Sequence, residues 1–202
     1  MPTALFILGH AGSGKTKLSK KWVKTRLKKG DNWVLLDKDV CGEGLANALM
    51  RALGLDENDR DSPAYKLNVR DLEYQGCLRL AAEQLKLGFN VVLPGPWTRE
   101  LEGGALFDPL ALGLPCETKL CHIYLDISVE KTKVRIESRA NPRDTWKLGN
   151  WEVYAKSLQE PLAIKARGII KLIPGVVMAD PDMVLLRDVV KVSKKNDADA
   201  YR

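Results

Sequence analysis

Residues 3–16 read Thr-Ala-Leu-Phe-Ile-Leu-Gly-His-Ala-Gly-Ser-Gly-Lys-Thr, and this stretch decides the fold. Thr3 to Leu8 is a short apolar run suited to a buried strand, and it leads directly into Gly9-His10-Ala11-Gly12-Ser13-Gly14-Lys15-Thr16, which satisfies GxxxxGK[ST] at every fixed position. The pattern is a phosphate-binding P-loop. Glycines at Gly9 and Gly14 let the backbone fold tightly enough for its N–H groups to face phosphate oxygens. Lys15 supplies a point charge to the β- and γ-phosphates, the Thr16 hydroxyl suits Mg²⁺, and the helix that starts here turns its positive dipole end toward the anion. Gly9, Ala11, Gly12, Ser13, Gly14, Lys15 and Thr16 are therefore the candidate nucleotide contacts, with ATP and Mg²⁺ the expected cofactors.

Outward from the P-loop, Lys15 to about Lys29 reads as a helix with Leu18, Trp22, Val23 and Leu27 on its apolar side and Gly30 at its end. It carries eight lysines or arginines and no acid, which suits either a solvated outer face or a nucleic-acid surface. Asn32–Leu36 is a second apolar strand, ending in Asp37-Lys38-Asp39. Helical stretches follow at Glu43–Leu53 and Leu72–Leu87, then a third strand at Val91–Leu93 closed by Pro94-Gly95-Pro96. Thr118–Leu125 is a fourth strand, Val129–Arg139 a helix, Val176–Met178 a weaker fifth strand, and a last helix is capped by Asp180 with Pro181 at its first position. Strands alternating with helices imply parallel pairing with both sheet faces covered. The expected fold class is α/β, a three-layer α/β/α P-loop NTPase fold with a central five-stranded parallel sheet and a helical lid. Residues 1–202 form a single domain in this reading, with a substrate-binding helical segment over about 40–87 and a lid over about 139–151.

The composition fits that assignment. Hydrophobic residues make up 45% and charged residues 29% of 202, which excludes a disordered or fibrous chain, and no apolar run approaches the length of a membrane span. A cytoplasmic protein with no membrane partner is expected. Cys41, Cys77, Cys116 and Cys121 have no CxxC spacing, and only His10 and His122 accompany them, so neither structural zinc nor a disulfide scaffold is indicated. The net charge of +6 suits an anionic ligand.

Motor, remodelling and switch NTPases end a buried strand in an acid that serves the metal, often with a second acid for water. Here the third strand ends in Pro94, and the fourth in Tyr124-Leu125-Asp126 followed by Ile127, so Asp126 is either a helix cap or a weak metal acid. What the chain has instead is the Asp37-Lys38-Asp39 end of its second strand and the arginine series Arg135, Arg139, Arg143. On these features it resembles the P-loop kinase group of gluconate kinase, chloramphenicol phosphotransferase, zeta-type toxin kinases and polynucleotide 5′-kinase. Through Leu36-Asp37-Lys38-Asp39, Val69-Arg70 with Glu73-Tyr74, and Pro142-Arg143-Asp144 with Trp146-Lys147-Leu148 and Trp151, it is more closely similar to a bacterial family of small P-loop proteins labelled AAA family ATPase. That resemblance covers Phe6 to about Tyr154.

The kinase resemblance implies roles. Asp39 takes the place of the acid that orients or deprotonates an acceptor hydroxyl, and Asp37 lies nearer the P-loop, where it serves Mg²⁺ together with Thr16. Lys38 is expected to point away along an extended segment. Several of these kinases carry an arginine three residues beyond the second acid, where this chain has Gly42. Arg135, Arg139 and Arg143 resemble the lid arginines of nucleotide kinases, which grip phosphates bidentately, and Lys15, Asp39, Arg139 and Arg143 form the expected catalytic set. The purine is expected near these arginines and a loop at Ala179–Asp182. Ligands of open α/β sheets bind beyond the carboxyl ends of the strands, so the acceptor side should draw on Asp37, Asp39, Arg60, Tyr65, Arg70, Tyr74, Trp97 and Arg99, with Asp61 and Glu100 beside them. The reading is a kinase that moves the γ-phosphate of ATP to a hydroxyl of a small molecule such as a sugar, nucleoside or antibiotic. A nucleic-acid 5′-hydroxyl or RNA kinase and a non-kinase NTPase switch are the alternatives, and the oligomeric state stays open.

Overall fold

The computed structural model describes residues 1–158 and 169–172. Five strands form one sheet: β1 (Thr3–Leu8), β2 (Trp33–Leu35), β3 (Asn90–Pro94), β4 (Lys119–Leu125) and β5 (Ile170–Leu172), in the spatial order β2-β3-β1-β4-β5. Every pairing is parallel, with Phe6 opposite Leu93 on one side and His122 on the other. The strand that feeds the P-loop thus lies at the centre. Its unbroken apolar run is what a strand covered on both faces requires, and Ala4 to Leu8 are each 3% exposed or less.

The helices are α1 (Lys15–Lys28), α2 (Lys38–Ala52), α3 (Pro63–Asn68), α4 (Arg70–Lys86), α5 (Thr98–Glu102), α6 (Val129–Arg139), α7 (Thr145–Gly149) and α8 (Trp151–Lys156). Alternation along β1 sends Phe6 and Leu8 into one core with Leu93, Trp97, Cys77, Ala81 and Leu85, and Leu5 and Ile7 into the other with Trp22, Val92 and Ile123. Two apolar layers either side of one sheet make the three-layer α/β/α fold.

Two expectations change, and three fall outside the described residues. The fifth strand is Ile170–Leu172; the expected strand at Val176–Met178, the helix capped by Asp180 and the loop at Ala179–Asp182 lie outside the described residues. The helix after β2 begins at Lys38 rather than Glu43, because the Asp37 carboxylate accepts from the Asp39 N–H at 3.1 Å and caps it. Asp126 is not the cap of α6, since Ser128 accepts from the Lys131 N–H. Helix α3 carries its own local signal, Ser62 as N-cap followed by Pro63.

His122 sits on β4 between Phe6 and Phe107, at ring-centroid distances of 5.6 and 5.0 Å, and its Nε2–H donates to the Leu106 carbonyl at 2.8 Å. Burial pulls its pKa down to about 4, and the carbonyl offsets only part of this. The unfolded chain, with an ordinary histidine near 6.5, therefore binds more protons than the folded one between these values. The neutral ring's contribution is complete above pH 6.5 and is lost as pH falls toward 4. Urea denaturation of wild type and His122→Gln should diverge over that window, with wild type losing up to about 3 kcal/mol that the variant keeps; parallel pH profiles would contradict this account.

Candidate active site

A cavity of about 640 Å³ opens beyond the carboxyl ends of β1 and β3. Its wall brings together the P-loop, the start of α2, the α3–α4 segment, the Pro94-Gly95-Pro96 turn with Thr98 and Arg99, and the arginines of α6 and the segment after it. The crevice position is what a parallel sheet gives, because the loops leaving the strand ends spread apart there.

The P-loop is closed over its own interior. Gly9 has φ of 138°, and a Cβ there would stand 2.9 Å from the Ser13 hydroxyl and 3.0 Å from the Leu125 carbonyl, so the strand can enter the loop only as glycine. Gly9 and Ser13, counted among the nucleotide contacts in the sequence, are buried beneath the wall and shape the loop from inside. Ala11, Gly12, Gly14, Lys15 and Thr16 face the cavity. The Lys15 ammonium donates to the carbonyls of Gly9 and His10 at 2.7 and 2.6 Å, and burial pulls its pKa down to about 7 against the opposing pull of Asp39. An ammonium held this way is ready to exchange carbonyls for phosphate oxygens.

The Thr16 hydroxyl donates to Asp37 Oδ2 at 3.1 Å, while Asp37 Oδ1 caps α2. A hydroxyl and a carboxylate in contact at the lip of a P-loop are two hard oxygen donors, which fits Mg²⁺, a cation that keeps several waters and takes its remaining ligands from phosphates. Among the described residues no group of three or more His, Cys, Asp or Glu is assembled for a metal, so the pair suits a metal that arrives with a nucleotide.

Asp39 stands one residue inside α2. Its Oδ1 accepts from Lys38 Nζ at 2.6 Å and lies 3.4 Å from an Arg143 nitrogen, and about half of the side chain is exposed. Burial pushes the Asp39 carboxyl up, but Lys38, Arg143 and Lys15 together outweigh it and hold it below the usual range. Lys38 corrects the sequence reading: because the segment is helical rather than extended, its ammonium does not turn away but lies on the cavity wall, 5.1 Å from the centre of the Tyr74 ring. The signal was there in Asp37, an N-cap residue type before a helix-compatible run.

Arg135 donates to the carbonyls of Gly12 and Ser13 at 3.1 and 3.4 Å, clasping the P-loop from α6. Arg139 forms a forked pair with Asp144 at 2.5 and 2.6 Å, and Asp144 is wholly buried. Lys147 bridges Asp144 at 3.1 Å and Asp61 at 2.6 Å, tying the segment after α6 to the chain just before α3. Arg143 also reaches Glu43 at 2.9 Å. Trp146 and Trp151 pack against Ile136, Tyr154 and Leu158 and are anchors.

On the α3–α5 side, Arg60, Tyr65, Arg70, Tyr74 and Arg99 all reach the wall. Arg70 grips Glu100 through two bonds of 2.7 Å and lies 3.8 Å over the Tyr74 ring; Arg99 grips Asp71 at 2.9 Å. Tyr65 donates to Glu73. Trp97 does not join them. It is fully buried, with its indole N–H on the Leu93 carbonyl at 3.2 Å and its ring edge-on to Phe6 and Tyr74, so it supports the cavity from the core. At Gly42 a Cβ would stand 3.4 Å from the Glu73 side chain, an ordinary contact distance, so α2 lies close against α4 there.

A family model described as an AAA domain, AAA_33, matches residues 5–161. The chain belongs to this family. AAA_33 membership and the site together make it a P-loop kinase-like protein. No curated protein matches it. Among solved structures it is similar to the APS kinase CysC of Mycobacterium tuberculosis in complex with AMPPNP and APS, at 18% identity and a TM-score of 0.57 over 96% of this chain and 98% of that one. A candidate kinase from Chloroflexus aurantiacus gives 17% identity and a TM-score of 0.58, over 96% of this chain and 97% of that one. Identities this low show a shared fold. Among the described residues no helix is long and apolar enough to cross a membrane.

The Asp144 cluster yields a test. Asp144→Asn leaves Lys147 and Arg139 without their shared carboxylate, and breaking a buried pair costs about 3–5 kcal/mol. Arg139 is 42% exposed and can turn to water, so the expected loss is smaller, about 2–3 kcal/mol by chemical denaturation. A loss under about 0.5 kcal/mol would show that the cluster does not hold this segment.

Proposed function

We propose that this AAA_33 protein is an ATP-dependent phosphotransferase that moves the γ-phosphate of ATP to a hydroxyl of a small molecule such as a sugar, nucleoside or antibiotic. The observation that carries the reading is the Asp39 carboxylate, which shares one cavity with the P-loop, is held by Lys38 and Arg143 and stays half exposed there. A carboxylate so placed is suited to receive an acceptor hydroxyl.

Phosphoryl transfer passes through a loose transition state, so alignment and charge neutralisation are the protein's main contributions. Lys15 leaves the Gly9 and His10 carbonyls for the β- and γ-phosphates. Thr16 and Asp37 would hold Mg²⁺, which neutralises phosphate charge when bound. Asp39 orients the acceptor hydroxyl and takes its proton as the new P–O bond forms and the bond from the γ-phosphorus to the bridging oxygen breaks, releasing ADP, and Lys38 and Arg143 fix the carboxylate through Oδ1. Arg139 and Arg143 offer guanidiniums to the transferring group, Arg139 loosening from Asp144 and Arg143 from Glu43 while Arg143 keeps its hold on Asp39. Arg60, Tyr65, Arg70, Tyr74 and Arg99 form the acceptor wall, and localisation in the cytoplasm is in keeping with ATP as donor.

Three variants test the roles. Lys15→Ala should abolish nucleotide-dependent turnover and leave the fold at least as stable, because it removes an ammonium whose charge burial already penalises. Asp39→Asn should lower acceptor phosphorylation by about 10²- to 10⁴-fold while ATP binding persists. Asp37→Asn keeps a capping residue on α2, so it should fold, weaken Mg²⁺-ATP use, and recover partly at high Mg²⁺. Acceptor phosphorylation found by screening sugars, nucleosides and aminoglycosides with ATP, together with nucleotide affinity for each variant, decides between outcomes. Exchange of the Asp37 and Asp39 phenotypes would overturn the assignment.

A further inference from the structure

The proposed phosphotransfer makes no use of the outer face of α1. Lys17, Lys20, Lys21, Lys24 and Lys28 recur at helical spacing, and with Thr25 they line a groove of about 380 Å³ of their own. The first of them also belongs to the wall of the main cavity, so the cationic track begins at the lip of the P-loop and runs the length of the helix. None of the five ammonium groups has an acid or carbonyl partner among the described residues.

Such an array works against the fold. Residues three and four apart on a helix are neighbours, and like charges there repel; the pairs 17/20, 17/21, 20/24, 21/24 and 24/28 are all of this kind. There is no acid in the helix to offset them, and the N-terminal lysines also oppose the helix dipole. The apolar side of α1 is spent on the sheet through Trp22, with Leu18 and Val23. Leu27 is the one large apolar side chain of the helix counted as exposed, too little to enter a bilayer. A hydrophilic polyanion remains as the complement. From Lys17 to Lys28 the helix rises about 16 Å, the length of about five nucleotides of one strand.

We propose that the outer face of α1 binds the phosphate backbone of a nucleic acid. The binding is electrostatic and indifferent to sequence. It stands apart from the phosphotransfer reading, since a small-molecule acceptor enters on the α2–α5 side and either claim can fail alone.

The experiment is fluorescence anisotropy with a labelled 12-nucleotide single-stranded RNA, titrated with the full chain at 50 to 200 mM salt. Five neutralised phosphates give a slope of log K against log salt of about −3.5, so affinity should fall roughly 100-fold across that range. In K20Q/K21Q/K24Q/K28Q, which spares the cavity's own Lys17, the slope should shrink to about −0.7 and the fall to roughly threefold. Glutamine is a good helix former, and an unchanged circular dichroism spectrum with unchanged affinity for a non-hydrolysable ATP analogue shows that the variant is folded. An equal slope in wild type and variant would overturn the proposal, as would absence of RNA binding at 50 mM salt. Sedimentation of the protein with vesicles of phosphatidylserine and phosphatidylcholine, at an affinity equal to that for RNA, would equally overturn it.

Discussion

A single carboxylate, Asp37, joins the two halves of the site. One of its oxygens caps α2 through the Asp39 N–H and the other accepts from Thr16 at the start of α1. Strand β2, which ends just before it, is not a neighbour of β1, since β3 lies between them. The contact therefore reaches across the crevice, and it fixes how far the P-loop stands from the side that holds Asp39. If the cap were lost, α2 would start elsewhere and Asp39 and Lys38 would leave the wall together.

Around that link the cavity holds its charges in pairs. Arg139 faces Asp144, Lys147 bridges Asp144 and Asp61, Arg143 faces Glu43 and Asp39, and Arg70 and Arg99 face Glu100 and Asp71. A buried ion without a partner is costly, so pairing is what lets so many cations share one cavity. It also orders the guanidiniums before any ligand arrives, which lowers the entropy lost on binding. Arg70 shows the balance: burial opposes its charge, and Glu100, Tyr74 and Asp71 outweigh burial and keep it a cation.

The same wall is closed at the end of β3 by a tight turn. A water-activating acid at the end of β3 would stand where Pro94 pairs with Ile7 and the chain turns through Gly95. A Cβ on Gly95 would come within 2.7 Å of the Trp97 indole, so the tight turn and the buried tryptophan are one feature. Trp97 accepts a left-handed backbone, φ 49°, to reach that position. The turn then carries Thr98 and Arg99 to the acceptor side.

The sequence by itself determined what local chemistry determines. The P-loop was legible because its glycines, lysine and threonine act through backbone conformation within eight residues. The central strand was legible as an unbroken apolar run, and α6 runs over Val129–Arg139 as its pattern indicated. Only the tertiary structure decided where long side chains end. Lys38 meets Tyr74, Arg70 meets Glu100 and Lys147 meets Asp61 across distances in sequence that no periodicity records. Trp97 reads as an acceptor-side contact until Phe6, Tyr74 and the Leu93 carbonyl surround it. The physical reason is common to all of these: hydrogen bonding and dihedral preference act between near neighbours, whereas burial and charge pairing depend on which distant elements the sheet order brings side by side.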